Sequence, residues 1–423
     1  MRIVQKYGGT SVGTIEKIQN IARHLTKLKK EGNDIVVVVS AMGKMTDELI
    51  AKAKALNPNP SRRELDRLMS TGEQQSIALL SIALHAEGVD AISLTGLQAG
   101  IVTTGLHTKA KIKDIDASRI ESHLDEGKVV IVAGFQGYNA EGDVTTLGRG
   151  GSDTSAVALA AALKCRCEIY TDVDGIYTVD PRAYAPAKKL DVISYEEMME
   201  MSNLGAGVME VRAVELGKKY GVEIYVARSL GDVPGTYIKE RDENMEAKVI
   251  TGLSINDNTL MVAIRNIPNN PKDIALIFDE LGKAHVNVDM ISQSLLDKEV
   301  LDLSFTCPIT EEDLFDNAIK VIKETLTNIE VSKKLDLIKV SLVGIGMMSH
   351  SGVAATVFQI FAKEDIKFYQ VTTSEISISY TIDKSNKEKA KKILTNLLRY
   401  DKINVLFQPA LRGMCRLKFL FEV

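Results

Sequence analysis

The chain opens Met1-Arg2-Ile3-Val4-Gln5-Lys6-Tyr7-Gly8-Gly9-Thr10-Ser11-Val12-Gly13. This is a short β-branched run ending in a lysine, two glycines and two hydroxyls. A strand that stops in such a turn before a helix can aim several backbone N–H groups at one anion. Lys6 sets a mobile positive charge beside them, and a nucleotide phosphate is the simplest ligand for the arrangement. It is not a Walker loop, because no G-x-x-x-x-G-K-[ST] occurs. An ordinary strand-turn-helix with a surface lysine has the same local pattern, so the motif acquires meaning only in company.

Four further clusters supply that company. Ser40-Ala41-Met42-Gly43-Lys44-Met45-Thr46-Asp47 follows directly on an apolar run. Ser70-Thr71-Gly72-Glu73 breaks into an otherwise helical stretch. Gly148-Arg149-Gly150-Gly151-Ser152-Asp153-Thr154 is a glycine turn opening into an Ala-rich helix. It is a second anion-binding helix N-terminus, now with an arginine fork. It is not a dinucleotide fingerprint, since Asp153 stands where G-x-G-x-x-G needs its third glycine. Thr171-Asp172-Val173-Asp174-Gly175-Ile176-Tyr177, continuing to Asp180-Pro181-Arg182, is another strand end with polar groups. No histidine or cysteine constellation suited to nucleophilic catalysis accompanies them.

The elements that must position these residues alternate. Strands are expected at Asp34 to Val39, Val129 to Ala133 and Cys167 to Thr171. A helix follows the Asn57-Pro58-Asn59-Pro60 breaker, opened by a capping box at Ser61-Arg62-Arg63-Glu64. Another runs from Asp153 to Leu163. This βαβα rhythm predicts a layered α/β domain with a mainly parallel sheet, in which ligands bind at the carboxyl ends of strands. The domain is expected to span residues 1–240, followed by a linker over 241–258, with the charged stretch Lys239 to Lys248 marking the boundary.

Beyond it the pattern repeats. The first copy has strands at Thr259 to Arg265, Val286 to Ile291 and Val300 to Thr306, with helices at Pro271 to Lys283 and Glu311 to Thr325. The second has strands from Lys339, at Lys367 to Thr372 and at Ile376 to Ile382. Its helices lie at Val353 to Ala362 and from Lys384 to about Arg399. Each copy reads βαββα plus a closing strand, a ferredoxin-like order, with boundaries at 259–333 and 334–423. Small domains of this type need a partner to bury their surface, so a homo-oligomer through the repeats is expected.

The bulk numbers narrow the functional classes. A chain of 423 residues implies two or three domains. The net charge is -4, from 52 basic and 56 acidic residues, which argues against nucleic acid or an anionic membrane as partner. No apolar run is long enough to span a bilayer, and the N-terminus carries no signal-peptide pattern. Cys165 and Cys167 form C-x-C, while Cys307 and Cys415 stand alone. That is neither a zinc spacing nor a disulfide framework, and a cytoplasmic protein with reduced thiols is expected.

Taken together, the order and wording of the clusters resemble the aspartate kinase family of the amino-acid kinase superfamily, over nearly the whole chain. The motifs are Lys6 to Ser11, Ser40-Ala41-Met42 with Thr46-Asp47, Ser70 to Glu73, Ala133-Gly134-Phe135-Gln136-Gly137, Gly148 to Asp153, and Thr171 to Tyr177. The two repeats resemble that family's paired ACT regulatory domains. The resemblance implies an amino-acid kinase fold, layered α/β/α, followed by two ferredoxin-like βαββαβ ACT domains. It implies phosphoryl transfer from ATP to the β-carboxylate of L-aspartate, the first step of lysine, threonine and methionine biosynthesis. Such a nucleophile needs no general base, because a carboxylate of pKa ~3.9 is already ionised at neutral pH.

By the same resemblance, Lys6 and Asp153 are the catalytic pair, Asp153 positioning Lys6 or organising the charges. Arg149 suits the substrate's α-carboxylate, Glu73 its ammonium, and Thr46 and Ser152 complete the grip. The nucleotide side takes Lys6, Tyr7, Gly8, Gly9, Ser40, Thr171, Asp172, Tyr177 and Arg182. Mg²⁺ is implied by ATP, with no protein cage for it. Lysine or threonine is the implied regulatory ligand. Its candidate contacts are Asp273, Ile274, Ala275, Asn287, Val288 and Asp289 in the first repeat, and Ser351, Gly352, Val353, Thr373, Ser374 and Glu375 in the second. Departures from the family pattern occur at Lys272-Asp273, Ser351, Gly207 and Glu210, the last standing where a histidine is frequent. The rival readings are another amino-acid kinase of the superfamily and a non-catalytic amino-acid sensor.

Overall fold

The computed structural model describes residues 1–241, 248–295 and 299–398. The described residues fall into two compact units. The first holds residues 1–177 and the described residues from 188 on to 241. The second holds Thr178–Ala187 and the described residues from 248.

In the first unit the chain runs β1 (Arg2–Tyr7), α1 (Ile15–Lys30), β2 (Asp34–Val39), α2 (Met45–Leu56), α3 (Arg62–Met69), α4 (Thr71–Ala86) and β3 (Ala91–Leu94). It continues through β4 (Ile101–Thr104), β5 (Lys111–Ile115), α5 (Ser118–Asp125), β6 (Val129–Ala133), β7 (Gln136–Tyr138), β8 (Val144–Thr146) and α6 (Gly151–Ala162). Then come β9 (Arg166–Thr171), β10 (Val192–Ile193), α7 (Tyr195–Asn203), α8 (Val211–Tyr220), β11 (Ile224–Arg228) and β12 (Thr236–Ile238). The main sheet has eight strands in the order β10-β12-β11-β9-β1-β2-β6-β3. All its pairings are parallel except β11 with β12. A four-stranded sheet, β5-β4-β7-β8, stands beside it.

Strand alternation sorts β1 between two layers. Ile3 and Tyr7 join the core built with Ile18, Ile21 and Leu25 of α1 and Ile77, Leu80 and Leu84 of α4. The α1 positions recur at helical spacing, and Thr14 caps the helix by accepting the Lys17 N–H at 3.2 Å. Lys6 points to the other layer, where α6 lies. The continuous apolar runs of β2 and β6 are buried on both faces, as parallel central strands must be. The helix expected after Pro60 forms as α3, but its capping box does not. Ser61 makes no side-chain cap bond, and the Glu64 carboxylate pairs with Arg63 instead.

The second unit runs β13 (Gly252–Pro268), α9 (Pro271–Lys283), β14 (Asp289–Leu295), β15 (Val300–Cys307), α10 (Glu312–Thr325) and β16 (Glu330–Val343). It ends with α11 (Val353–Lys363), β17 (Phe368–Thr373), β18 (Ser377–Asp383) and α12 (Lys387–Leu397). These strands form one sheet in the order β14-β15-β13-β16-β18-β17. The first repeat has the expected ferredoxin-like order. In the second, the position of the fourth strand, beside the C-terminal half of β16, is filled by Gly252 to Asn256, which pair with Val343 to Lys339. Those residues were expected in the linker 241–258. The edge of β16 needs a hydrogen-bonding partner, and the upstream segment supplies it. The tail from Asn404, with any strand it forms, lies outside the described residues. Thr178–Ala187, expected with the first domain, also belongs to this unit. There Val179 is buried, with Tyr184 and Ala187 packed against the same core of Ile338, Val340, Tyr380 and Leu394, and the Thr178 carbonyl accepts the Leu253 N–H at 2.7 Å.

Tyr380 sits in that core fully buried among Phe358, Phe361 and Phe368. Its hydroxyl finds no partner among the described residues, and burial pushes its pKa well up. A buried donor without a partner costs stability. Tyr380→Phe is therefore expected to raise stability by about 1 kcal/mol, read as a higher midpoint in denaturant unfolding of the whole chain. A loss of stability would mean that the hydroxyl is satisfied.

Candidate active site

The chemistry-bearing clusters converge where β1, β2 and β6 end, at the carboxyl edge of the parallel sheet. Three backbone bonds hold the loops together: Ser40 N–H to Tyr7 O at 3.1 Å, Gly43 N–H to Gly9 O at 3.0 Å, and Gly134 N–H to Val39 O at 3.0 Å. Gly9 is required by this closeness, because a Cβ there would stand 2.7 Å from the Ala41 carbonyl oxygen. Gly150, at φ 65°, caps α6 in the left-handed region that favours glycine.

A cavity of about 860 Å³ opens here. Lys6 lines it from the end of β1, Gly9 and Ser40 from the two loops, Thr46 from the start of α2, Glu73 from the first turn of α4, Arg149 from the turn before α6, and Ser152 and Asp153 from the start of α6. Lys6 Nζ and Asp153 Oδ1 are 2.5 Å apart, with both side chains nearly buried. Asp153 lies in the first turn of α6, where the helix dipole favours a carboxylate. Arg149 is exposed and has no ion pair among the described residues.

Glu73 is 2% exposed. One of its oxygens accepts the Ala41 N–H at 3.1 Å. The other is buried with no partner among the described residues. Burial raises its pKa to about 7, against smaller lowering by backbone hydrogen bonds. An acid with its pKa near 7 and one oxygen without a partner among the described residues has the chemistry to pair with a cation.

The remaining nucleotide-side candidates do not line this cavity. Tyr7 is fully buried on the opposite face of the sheet, stacked on Tyr170 with centroids 5.1 Å apart. It donates from its hydroxyl to Gln5 at 3.0 Å, so only its backbone reaches the loops. Gly8 donates its N–H to the Tyr170 carbonyl at 3.2 Å, which ties the glycine turn to the end of β9 and Thr171. The Thr171 hydroxyl donates to Asp172 at 3.2 Å. Tyr177 is half-buried near Asp174, itself paired with Arg228 at 2.5 Å. Arg182 belongs to the other unit, where it pairs with Asp180 at 3.0 Å.

Phe135, from the Ala133 to Gly137 motif, lines the cavity, and so do residues not singled out in the sequence, among them Ile50, Leu65, Met69 and Thr108. Their signal was weak, since each lies in a loop or helix without a recognisable motif. Glu210 comes close to the glycine turn, one carboxylate oxygen 2.8 Å from where a Gly150 Cβ would stand. Burial and the Asp153 charge raise its pKa, and Arg212 and Arg149 oppose them.

In the second unit, Asp273, Ile274 and Ala275 occupy the first turn of α9. Asn287 donates twice to the Glu311 carboxylate, at 2.7 and 2.6 Å. Asp289 pairs with Lys339 at 2.5 Å, and Val288 packs against the first repeat's core. Ser351, Gly352 and Val353 lead into α11, with Gly352 at φ 96°. Thr373 ends β17, the Ser374 and Ser377 hydroxyls are 2.9 Å apart, and Glu375 is exposed. No group of three or more His, Cys, Asp or Glu side chains that could hold a metal ion occurs among the described residues.

Comparison with known proteins places the chain in a family. The amino acid kinase family model matches residues 1–228 and an ACT domain model matches residues 340–398. An aspartokinase of Geobacillus stearothermophilus is 49% identical over 382 residues, covering 90% of this chain and 93% of the relative. The crystal structure of aspartate kinase from Synechocystis is 40% identical, covers 94% of this chain and 69% of that one, and superposes with TM-score 0.54. E. coli aspartokinase III, in complex with aspartate and ADP, shares the fold with TM-score 0.79 at 24% identity, over 95% of this chain and all of that one.

Two outcomes follow from the site. Because Glu73 must be ionised to receive a cation, kcat/KM for an ammonium-bearing substrate is expected to fall about tenfold per pH unit below about 7. kcat is expected to fall only at lower pH, since a bound ammonium favours the ionised form. A pH profile of kcat/KM flat down to the ordinary carboxylate range would remove this role. Gly9→Ala, which drives a methyl against a backbone carbonyl, is expected to cost about 1–3 kcal/mol of stability and to lower kcat/KM, as steady-state rates and unfolding midpoints would report.

Proposed function

The chain belongs to the amino acid kinase family, among its aspartokinases, and from that premise we propose how its site works. It is an aspartate kinase: it transfers the γ-phosphoryl group of ATP to the β-carboxylate of L-aspartate. The observation that carries the assignment of roles is a single cavity surrounded by three complementary groups. These are a buried carboxylate with an unused oxygen, an arginine without an ion pair among the described residues, and the Lys6–Asp153 pair.

Aspartate presents one ammonium and two carboxylates. Glu73 takes the ammonium, and Arg149 takes the α-carboxylate through a planar two-bond contact. Thr46 and Ser152 donate hydroxyls. That leaves the β-carboxylate, already ionised, as the nucleophile. The obstacle is electrostatic, since two anions must approach and charge must be steadied as it moves. Lys6 supplies the positive charge and Asp153 holds it in place without attacking. The backbone of Gly8 and Gly9 offers close approach to the phosphates. ATP brings Mg²⁺, which neutralises phosphate charge when bound. Mg²⁺ usually keeps waters and phosphate ligands, and Asp153, paired with Lys6, is the protein carboxylate at hand.

The ACT repeats support feedback control by an end-product amino acid, lysine or threonine. Their outer strands β14 and β17 carry exposed Ile291, Leu295, Phe368 and Tyr369, which supports a homo-oligomer assembled through them. Cys165, Cys167 and Cys307 are free thiols, which with ATP as substrate supports a cytoplasmic place. No described helix is long and apolar enough to cross a membrane.

The direct test is aspartyl phosphate, trapped as the hydroxamate, with Mg-ATP and L-aspartate, alone and with lysine, threonine or both. Turnover suppressed by an effector is the expected result, whereas turnover only with another acidic amino acid would reassign the substrate. Lys6→Ala is expected to lower kcat at least ~10²-fold in a protein that still folds, and a near-normal rate would end its assigned role.

A further inference from the structure

Beneath the cavity, one carboxylate has no part in the chemistry just described. Asp66 of α3 is fully buried, and no lysine or arginine pairs with it among the described residues. Its oxygens are instead ringed by donors. The Thr108 N–H lies 3.0 Å from both, the Thr146 hydroxyl donates at 2.5 Å, and His107 Nδ1 is 2.7 Å away. Every neighbour is a donor or, in the case of the histidine, takes the tautomer that donates. A carboxylate, which only accepts, answers this set. An asparagine would turn an NH₂ toward at least one donor.

The two segments that Asp66 gathers both lead into the cavity. Thr108 lines it and is held at φ 69°, in the left-handed region that non-glycine residues seldom occupy. Thr146 is three residues before Arg149. The same two segments are joined from the other end by Arg212, which donates to the Leu147 carbonyl at 2.7 Å and the Ala110 carbonyl at 3.1 Å. Between them, Ala110 N–H donates to Thr146 O at 3.0 Å. The turn that carries Arg149 thus starts from a doubly fastened base. Its remaining residues are glycines, which place the guanidinium only as well as that base is placed.

We propose that Asp66 is a positioning residue for substrate recognition: through Thr108 and Thr146 it fixes the base of the turn that presents Arg149 to the substrate's α-carboxylate. A hydrophobic side chain here would leave the Thr108 N–H and the Thr146 hydroxyl without this acceptor. What the carboxylate adds is direction, since it sets the azimuth of a backbone amide and a hydroxyl at once. The inference rests on the reading of Arg149 as the α-carboxylate ligand, and the experiment separates the two.

Steady-state constants are measured for Asp66→Asn, Arg149→Ala and the double variant, with folding of each checked by circular dichroism and thermal unfolding. Arg149→Ala is expected to raise KM for aspartate strongly. Asp66→Asn is expected to raise it about tenfold or more, with KM for ATP within about twofold. In the Arg149→Ala background Asp66→Asn is expected to add little, since it acts through the missing guanidinium. Should Asp66→Asn not fold, Thr146→Val replaces it, because it removes one donor and keeps the shape. Thr146→Ser, which restores the hydroxyl, is expected to recover most of the aspartate KM. An unchanged KM in Arg149→Ala would overturn the Arg149 reading itself. A raised KM there, with Asp66→Asn or Thr146→Val harming kcat and both KM values alike in either background, would make Asp66 merely structural and overturn the proposal.

Discussion

An ammonium group held at the rim of a parallel sheet governs the rest of the catalytic unit. Lys6 is 8% exposed, and a charge at that depth is tolerable only beside an opposite charge. Asp153 supplies it from the first turn of α6, so β1 must end and α6 must begin within one ion-pair length of each other. The glycines around them follow from that closeness. Gly150 turns the chain into the helix, and Gly134 leaves room for the Ser152 hydroxyl, which would lie 2.7 Å from a Cβ there. Layer assignment follows too: because Lys6 faces α6, its neighbours Gln5 and Tyr7 face α1, where Gln5 donates to Glu168 at 2.7 Å and closes a polar network within the sheet's other face.

Transfer to a carboxylate already ionised at neutral pH needs no general base. On the proposed reading, the site's polar groups tolerate anions and sort them by shape. Glu73 is the exception that makes the sorting selective. Burial holds it near the border between acid and carboxylate, and a cation arriving beside it would favour the ionised form. Arg149 stands at the opposite extreme, exposed and without a partner among the described residues. A ligand bearing both an ammonium and a carboxylate satisfies the two at once, whereas a simple dicarboxylate leaves a buried oxygen without a donor.

The second unit obeys a different constraint, the need of sheet edges for partners. Its two repeats are interleaved rather than strung in series. Strand β13 pairs with β16 along nearly its whole length, so that its start serves the second repeat and its remainder the first. A side-chain bond reinforces the union: the Gln370 amide donates to the Met290 carbonyl, at a residue in the left-handed region of a bulged strand. The neighbouring Asp289 is held by Lys339. Two candidate effector residues of the first repeat are thus already engaged, Asp289 by Lys339 of β16 and Asn287 by Glu311.

Local periodicity made most of the elements legible. The helix at Pro271 to Lys283 and the buried runs of β2 and β6 stand where apolar spacing and a proline at a helix start put them, because those signals lie within a few residues of each other. The clusters at Lys6, Ser40, Glu73 and Arg149 were equally legible as types, since strand ends and helix starts announce themselves in glycines and hydroxyls. What sequence could not carry was anything decided by contacts between distant segments. That Glu73 is buried with one oxygen unused depends on how α4 packs under the Ala41 loop. That Tyr7 turns its ring away from the site depends on which layer Lys6 takes. That residues 252–256 close the second repeat depends on which edge of β16 was vacant. Asp66, an unremarked acid in a helix, acquires its meaning only when residues 107, 108 and 146 are folded around it. Spacing along a chain determines which groups are near in one element, and only packing determines which donor meets which acceptor.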